Sequence, residues 1–227
     1  MIKKGDFVEI DFVGKLKETG EIFDLTKKNT AEKEKIANKS ADYSPKIVCV
    51  GNGDVVRGLD ESLIGKDAGK KYRIDIDVEN GFGRKNAKLI KMVPMSAFKQ
   101  ENMKPFPGLQ VNIDGHYGTI RTVSGGRVLV DFNHPLSGRE LTYEVEVRRI
   151  VVDDTEKIKS VMKNLIRRDV DCRVTDGNAV INLEIPAEFQ KMLSEGIKKL
   201  IKTIKNIEFK KEDEKKLPEK TEVTTQK

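Results

Sequence analysis

The chain of 227 residues has no tryptophan, two histidines, two cysteines and no long apolar run. Each shortage removes a class of function. With only His116 and His134 present, no persuasive Ser-His-Asp or Cys-His arrangement for nucleophilic catalysis emerges. Cys49 and Cys172 lie far apart, each among apolar residues and outside any Cys-x-x-Cys pair. They read as small buried hydrophobes of a reducing compartment, not as a disulfide. Two histidines and two unpaired cysteines do not match a zinc spacing, so neither a metal site nor a cofactor is expected. Gly51-Asn52-Gly53 lacks the third glycine, or the Lys-Ser/Thr, of a phosphate-binding loop. It reads as a tight strand-to-helix turn. Met1-Ile2-Lys3-Lys4-Gly5-Asp6 has no apolar core of a signal peptide, and no segment approaches membrane-spanning length. A cytoplasmic protein without a membrane partner is therefore expected, and Asn38-Lys39-Ser40 reads as a chance glycosylation motif.

Charge, by contrast, is abundant. Charged residues make up 35% of the chain, with 43 Lys and Arg against 37 Asp and Glu, a net charge of +6. The surplus over the usual quarter is mainly Lys and Glu, a balance also found in proteins of hot environments. Because the two signs are interleaved, specific nucleic-acid binding is not expected. The exception is the C-terminal region, where Lys198, Lys199, Lys202, Lys205, Lys210 and Lys211 read as a solvated face, with attraction to a ribosome or RNA as the alternative.

The hydrophobic pattern divides the chain. Residues 7–13 alternate apolar and polar, as a strand with one wet face does. Ile22-Phe23-Asp24 belongs to a second strand beyond a turn at 18–21, and residues 26–42 are polar, with Asn29 placed to cap a short helix. The apolar run Ile47–Val50 predicts a strand covered on both faces. Residues 55–64 predict a helix closed by Gly65, and residues 71–78 another strand. A different unit starts at Lys85, with a strand over 89–95, a short helix over 95–103 and strands over 111–113, 118–123 and 127–132. Further on, a helix over 156–167 precedes strands at 171–174 and 179–185 around the turn Thr175-Asp176-Gly177-Asn178. A long helix follows Pro186, with Phe189, Leu193, Ile197, Leu200, Ile201 and Ile204 on one face, then a strand at 207–209. That apolar face is expected to be core or, alternatively, a dimer interface, leaving the protein a monomer or a homodimer. Residues 210–227 are charged and expected to be disordered.

The first unit carries apolar residues at loop and element ends: Phe12, Phe23, Val55, Val56, Leu59, Phe82 and Tyr143, with the carboxylate Asp24 beside Phe23. Such a set fits a small-ligand pocket and equally fits a plain core. In the inserted unit Met92, Met95, Phe98, Met103 and Phe106 cluster, either as an adaptable surface for varied chains or as that unit's own core.

Residues 5–25, 45–84 and 133–150 resemble FKBP-type peptidyl-prolyl isomerases, above all the SlyD-like group. The likeness is most specific in Gly51-x-Gly53-x-Val55-Val56-x-Gly58-Leu59-Asp60 and in Asn133-His134-Pro135-Leu136-Ser137-Gly138-x-x-Leu141. It implies an α+β fold: an antiparallel half-barrel sheet wrapped on a short helix (1–84 and 133–152), with a small β-rich chaperone domain inserted in the flap loop (85–132). The remaining αββαβ-like region (153–209) resembles the long archaeal members. The tail contains no histidine, so the metal storage linked to His-rich tails is not implied. By resemblance, Phe12, Phe23, Val55, Val56, Leu59, Phe82 and Tyr143 line a proline pocket, with Leu59 as its floor. The Val56 N–H holds a substrate carbonyl, Asp24 orients groups around the twisting bond, and Leu136 closes one side from the flap. Phe12 and Phe82 stand where the family often has tyrosine, and Lys46 where an apolar residue is commoner. The resemblance implies a peptidyl-prolyl isomerase that holds unfolded or proline-containing polypeptides through Met92, Met95, Phe98, Met103 and Phe106. The alternatives are a polypeptide-binding chaperone with weak or silent isomerase activity and a ribosome-associated module.

Overall fold

The computed structural model describes residues 1–211. In chain order the first elements are β1 (Phe7–Leu16), β2 (Ile22–Leu25), α1 (Lys28–Lys33), β3 (Lys46–Cys49), α2 (Arg57–Leu63) and β4 (Lys70–Ile76). An inserted run follows: β5 (Ile90–Pro94), α3 (Met95–Gln100), β6 (Gln110–Ile113), β7 (His116–Ser124) and β8 (Arg127–Asp131). Then come β9 (Leu141–Val151), α4 (Asp154–Ile166), β10 (Asp171–Thr175), β11 (Asn178–Asn182), α5 (Ala187–Leu200) and β12 (Asn206–Lys210). Among the described residues no helix is long and apolar enough to cross a membrane.

The expected α+β architecture is present. β2, β1, β9 and β4 form an antiparallel sheet in that order, with β3 added on β1. The long pairing of β1 with β9 sets Phe12 against Val145, Gly14 against Tyr143 and Leu16 against Leu141. Since side chains alternate across a strand, Val8, Ile10, Phe12 and Leu16 meet Leu141, Tyr143, Val145 and Val147 in one core closed by Leu59 and Leu63 of α2.

The other face of β1 is not the wet one that its alternation suggests. Asp11 is buried, where its carboxylate accepts the Thr26 hydroxyl at 2.7 Å and pairs with Arg148 at 2.6 Å. A buried carboxylate is tolerable only with such partners, and they come from segments distant in sequence. Farther along the same face, Phe7, Cys49 and Val151 pack into the cluster of Ile158, Met162, Ile181 and Ile197, joined by Ile47 of β3. The C-terminal unit thus covers β1 and β3, which is why the short run at 47–50 is apolar on both faces.

In that unit β12 runs parallel to β11, and β10 antiparallel to it. Asp176 and Gly177 at φ 50° and 79° make the hairpin turn with two positive-φ residues. The inserted strands form a separate four-stranded sheet, β5-β8-β7-β6, around Phe98, Val111, Ile120, Val128 and Val130.

Several local expectations need correction. Helix α1 begins at Lys28, with Lys27 at its cap and no side-chain capping bond, so Asn29 caps nothing. Helix α2 starts at Arg57, because Gly53 to Val56 complete the turn before it. Strand β11 ends at Asn182. Helix α5 stops at Leu200, so Ile201 and Ile204 are buried from the chain beyond it, while Phe189 in its first turn is exposed. Of the expected disordered tail, Lys210 closes β12 and Lys211 follows it, and 212–227 lies outside the described residues.

Candidate active site

The site begins with a turn held by two aspartates. Gly51 and Gly53 take φ of 84° and 79°, and their N–H groups donate to the buried Asp60 carboxylate at 2.8 and 2.9 Å. Asp54 accepts the Cys49 N–H at 2.7 Å. This turn delivers Val55 and Val56 to the start of α2. Val56 stands at the cap with φ −56° and ψ 143°, and its N–H has no hydrogen-bond partner among the described residues. Helix α2 sits close to the end of β4 and the chain beyond it: a Cβ on Gly58 would lie 2.5 Å from Ile76 and 3.2 Å from the Asn80 carbonyl.

Above α2 the rings assemble edge to face. Phe12 and Tyr143 have centroids 5.7 Å apart at 63°, Phe23 and Tyr143 5.7 Å at 86°, and Phe23 and Phe82 6.3 Å at 85°. Such arrangements suit the ring quadrupoles. Phe12, Leu59 and Tyr143 are buried, and Phe23, Val55, Val56, Phe82 and Leu136 are half-buried around them. These eight expected residues therefore pack together in one cluster, three of them buried and five half-buried. Burial and the nearby Asp24 charge hold the Tyr143 phenol far above its ordinary pKa, so it remains a protonated donor. Its hydroxyl has no hydrogen-bond partner among the described residues.

Three participants were not in the expected set. Gly14 lies opposite Tyr143, and a Cβ there would be 2.9 Å from Phe23 and 3.0 Å from Tyr143. Both rings rest on bare backbone. A glycine directly after the alternating pattern at 7–13 was the available signal. His134 stacks on Phe82 at 4.4 Å and 1°, a contact no local pattern announces. Lys46 reaches over Phe12, 5.1 Å from the ring centroid, and lies 3.9 Å from the Asp24 carboxylate.

The flap is tied to the segment that leaves for the inserted sheet. Ser137 donates to the Phe82 carbonyl at 3.1 Å and the Gly138 N–H to Gly83 at 2.8 Å. Asn86 and Asn133 bond reciprocally at 2.8 and 3.1 Å. Asp131 is the hub, accepting from the Asn133 backbone and side chain at 2.9 and 2.8 Å and pairing with Arg121 and Lys85. Burial disfavours its charge, but the bonds from Asn133 and Arg121, with Lys85 nearby, outweigh this and hold its pKa well below the ordinary range.

The five insert residues separate by environment. Met92, Met103 and Phe106 are exposed, whereas Phe98 is buried in the insert's core and Met95 packs against that core. Met92, Phe98 and Met103 border a trough of about 730 Å³, shared with Leu89, Val111 and Phe132. Neither cysteine offers a nucleophile: burial first, then nearby acidic charge, pushes the Cys49 thiol up to about 11, and burial likewise pushes Cys172 up to about 11. Among the described residues no group of three or more His, Cys, Asp and Glu is placed to hold a metal ion.

Residues 1–99 match the family model described as FKBP-type peptidyl-prolyl cis-trans isomerase. A short-type peptidyl-prolyl cis-trans isomerase of Methanocaldococcus jannaschii is 31% identical over 156 residues, 69% of this chain and 98% of the relative. The chain belongs to the FKBP-type peptidyl-prolyl cis-trans isomerases. Residues 91–136 of this FKBP-type enzyme match a second model, described as FKBP26, IF domain. A probable FKBP-type 16 kDa isomerase of Pseudomonas fluorescens is 34% identical over 111 residues, 47% of this chain and 73% of that one. The SlyD isomerase of Vibrio cholerae is 32% identical over 122 residues, 52% of this chain and 60% of its own length. The likeness is to SlyD-type members of the family.

Proposed function

We propose that the aromatic box over Leu59 is where this FKBP-type isomerase binds and twists the Xaa-Pro bond. The observation that carries this reading is an apolar enclosure with one unpartnered backbone donor, the Val56 N–H, at its edge. Rotation about the amide meets a barrier of about 18–20 kcal/mol because resonance is lost in the twisted state. The planar amide is the more polar form and the better solvated by water. An apolar enclosure therefore favours the twisted form relative to the ground state, as differential binding requires. Each ~1.4 kcal/mol of that preference is worth about tenfold in rate.

In this reading the proline ring rests on Leu59 between Phe12, Phe23, Phe82 and Tyr143. The Val56 N–H holds a substrate carbonyl, Asp24 stands beside the twisting bond, and Leu136 closes the flap side. The chemistry requires no nucleophile. The test is a cofactor-free assay on a short Xaa-Pro peptide, with Leu59→Ala and Phe23→Ala beside the parent chain. Acceleration that survives both substitutions undiminished overturns this assignment of the pocket.

The inserted sheet is proposed to hold unfolded polypeptide near the pocket. Supporting it are exposed Met92, Met103 and Phe106 on a unit tied to the pocket's flap. Methionine surfaces adapt to varied partners, and tethered capture raises the local concentration of Xaa-Pro bonds. Prolyl isomerisation is slow enough to limit folding. Replacing Met92, Met103 and Phe106 with serine is expected to spare short-peptide turnover and to slow catalysed refolding of a proline-limited protein. Equal loss on both substrates refutes a separate capture role. The second reading, a chaperone with weak isomerase activity, is favoured by Lys46, which covers the Phe12 ring. A rate on the short peptide no higher than the uncatalysed one would establish it.

A further inference from the structure

The pocket has a charge at its mouth that the isomerase chemistry does not use. Lys46 opens β3, and its backbone is fixed by pairing with Ile10 of β1. Its ammonium lies 5.1 Å over the Phe12 ring and 3.9 Å from an Asp24 carboxylate oxygen, with the Lys46 and Asp24 side chains 47% and 48% exposed. Half-exposed contacts of this kind are weak, so a ligand carboxylate can draw the ammonium away from both. Asp24 alone would repel an acidic side chain, and Lys46 offsets that charge and supplies a cation there to pair with the acidic group.

The surplus continues past the pocket. Lys46 also borders a cleft of about 470 Å³ between the 42–47 segment and α4. On its wall, Lys163 is occupied by Asp42 and Asp169, and Glu156 by Arg149. Among the described residues Lys159 has a single ion-pair contact, 4.0 Å from Asp171, and the Arg167 guanidinium, which lines the same cleft, has none. Three cations at this end are thus loosely held or unpaired.

We propose that Lys46 makes this pocket selective for an acidic residue immediately before the proline. The inference rests on the pocket assignment above: with Asp24 beside the twisting bond, the side chain preceding proline comes next to Asp24 and so within reach of the Lys46 ammonium. A carboxylate there pairs with Lys46 and uncovers Phe12 for the incoming ring. A leucine packs on the Lys46 stem and gains nothing from its charge, and a lysine is repelled.

The experiment measures kcat/KM for three peptides differing only in the residue before proline, Glu, Leu or Lys, with the full chain and with Lys46→Met, Lys46→Arg and Lys46→Glu. Lys46 is half exposed at the edge of the pocket, so its variants are expected to fold, which circular dichroism checks. Lys46→Met is expected to lower the Glu-to-Leu ratio about fivefold, the size of an exposed charge contact. Lys46→Arg should retain the ratio, and Lys46→Glu should bring the Lys peptide ahead of the Glu peptide. The preference should also shrink as salt is raised, because an exposed pair is screened. A Glu-to-Leu ratio equal in the parent and Lys46→Met overturns the inference while catalysis of the Leu peptide leaves the pocket assignment standing. Failure of the parent chain to accelerate any of the three peptides overturns both.

Discussion

At the scale of single residues, the pocket depends on an absent side chain as much as on those present. Phe23 and Tyr143 meet over Gly14, where a Cβ would come within 2.9 Å of one ring and 3.0 Å of the other. Gly14→Ala is expected to push those rings apart, costing about 1–3 kcal/mol as overpacking does and about tenfold in kcat/KM if the pocket assignment holds. Thermal denaturation and a prolyl assay on the same preparation measure the two effects. The cysteines yield a prediction of opposite kind. With both thiols buried and pushed up to about 11, their thiolate fraction near pH 8 is small. A thiol reagent is expected to label neither in the folded chain and both after denaturation. Rapid labelling of either under native conditions would contradict that burial. These environments were partly legible: the apolar neighbours of Cys49 and Cys172 announced burial, whereas the crowding at Gly14 depends on a strand partner 129 positions away (143 against 14).

At the scale of elements, the crossing between the first sheet and the inserted one is held by Asp131. Its folded-state pKa is depressed, with burial opposing and the Asn133 and Arg121 bonds and Lys85 prevailing. A depressed carboxylate contributes stability that is present above its unfolded pKa of about 3.9 and is lost as pH falls below it toward the folded value. The chain is therefore expected to lose stability from about pH 4 downward, and Asp131→Asn to lose less over that interval while being less stable at neutral pH. Chemical denaturation at several pH values measures this. Parallel curves for the two proteins would mean that Asp131 contributes no pH dependence. The strands entering and leaving this crossing were visible as hydrophobic patterns. The Asp131 hub was not, because its partners Lys85 and Arg121 come from positions 46 and 10 residues away.

At the scale of the whole molecule, the three apolar clusters are unequally connected. Phe7, Cys49 and Val151 of the first sheet belong to the same cluster as α4, β11 and α5, whereas the inserted sheet surrounds a core of its own. The first and C-terminal units are therefore expected to unfold together and the insert to open separately. In native-state hydrogen exchange, amides of β1 and β11 should show similar opening free energies, and those of β7 and β8 lower ones. Phe7→Ala should lower protection in both β1 and β11, by about 3–5 kcal/mol for a buried phenylalanine. Protection lost in β1 alone would show the two units to be independent.

What the sequence determined by itself was whatever depends on neighbours along the chain. Alternation marked most strands, glycines marked the turns, and the paired segments at 51–60 and 133–141 marked the family. Tertiary structure alone decided what depends on partners far along the chain. It turned the wet face of β1 into an interface, since Asp11 could be buried only once Thr26 and Arg148 supplied its bonds. It left Phe189 exposed in the first turn of α5, on the face whose spacing had marked it as core or dimer interface. It also set Lys46 over Phe12 and beside Asp24. Periodicity assigns a residue to a face. What that face meets is decided by packing, and the charge at the mouth of this pocket is a product of packing.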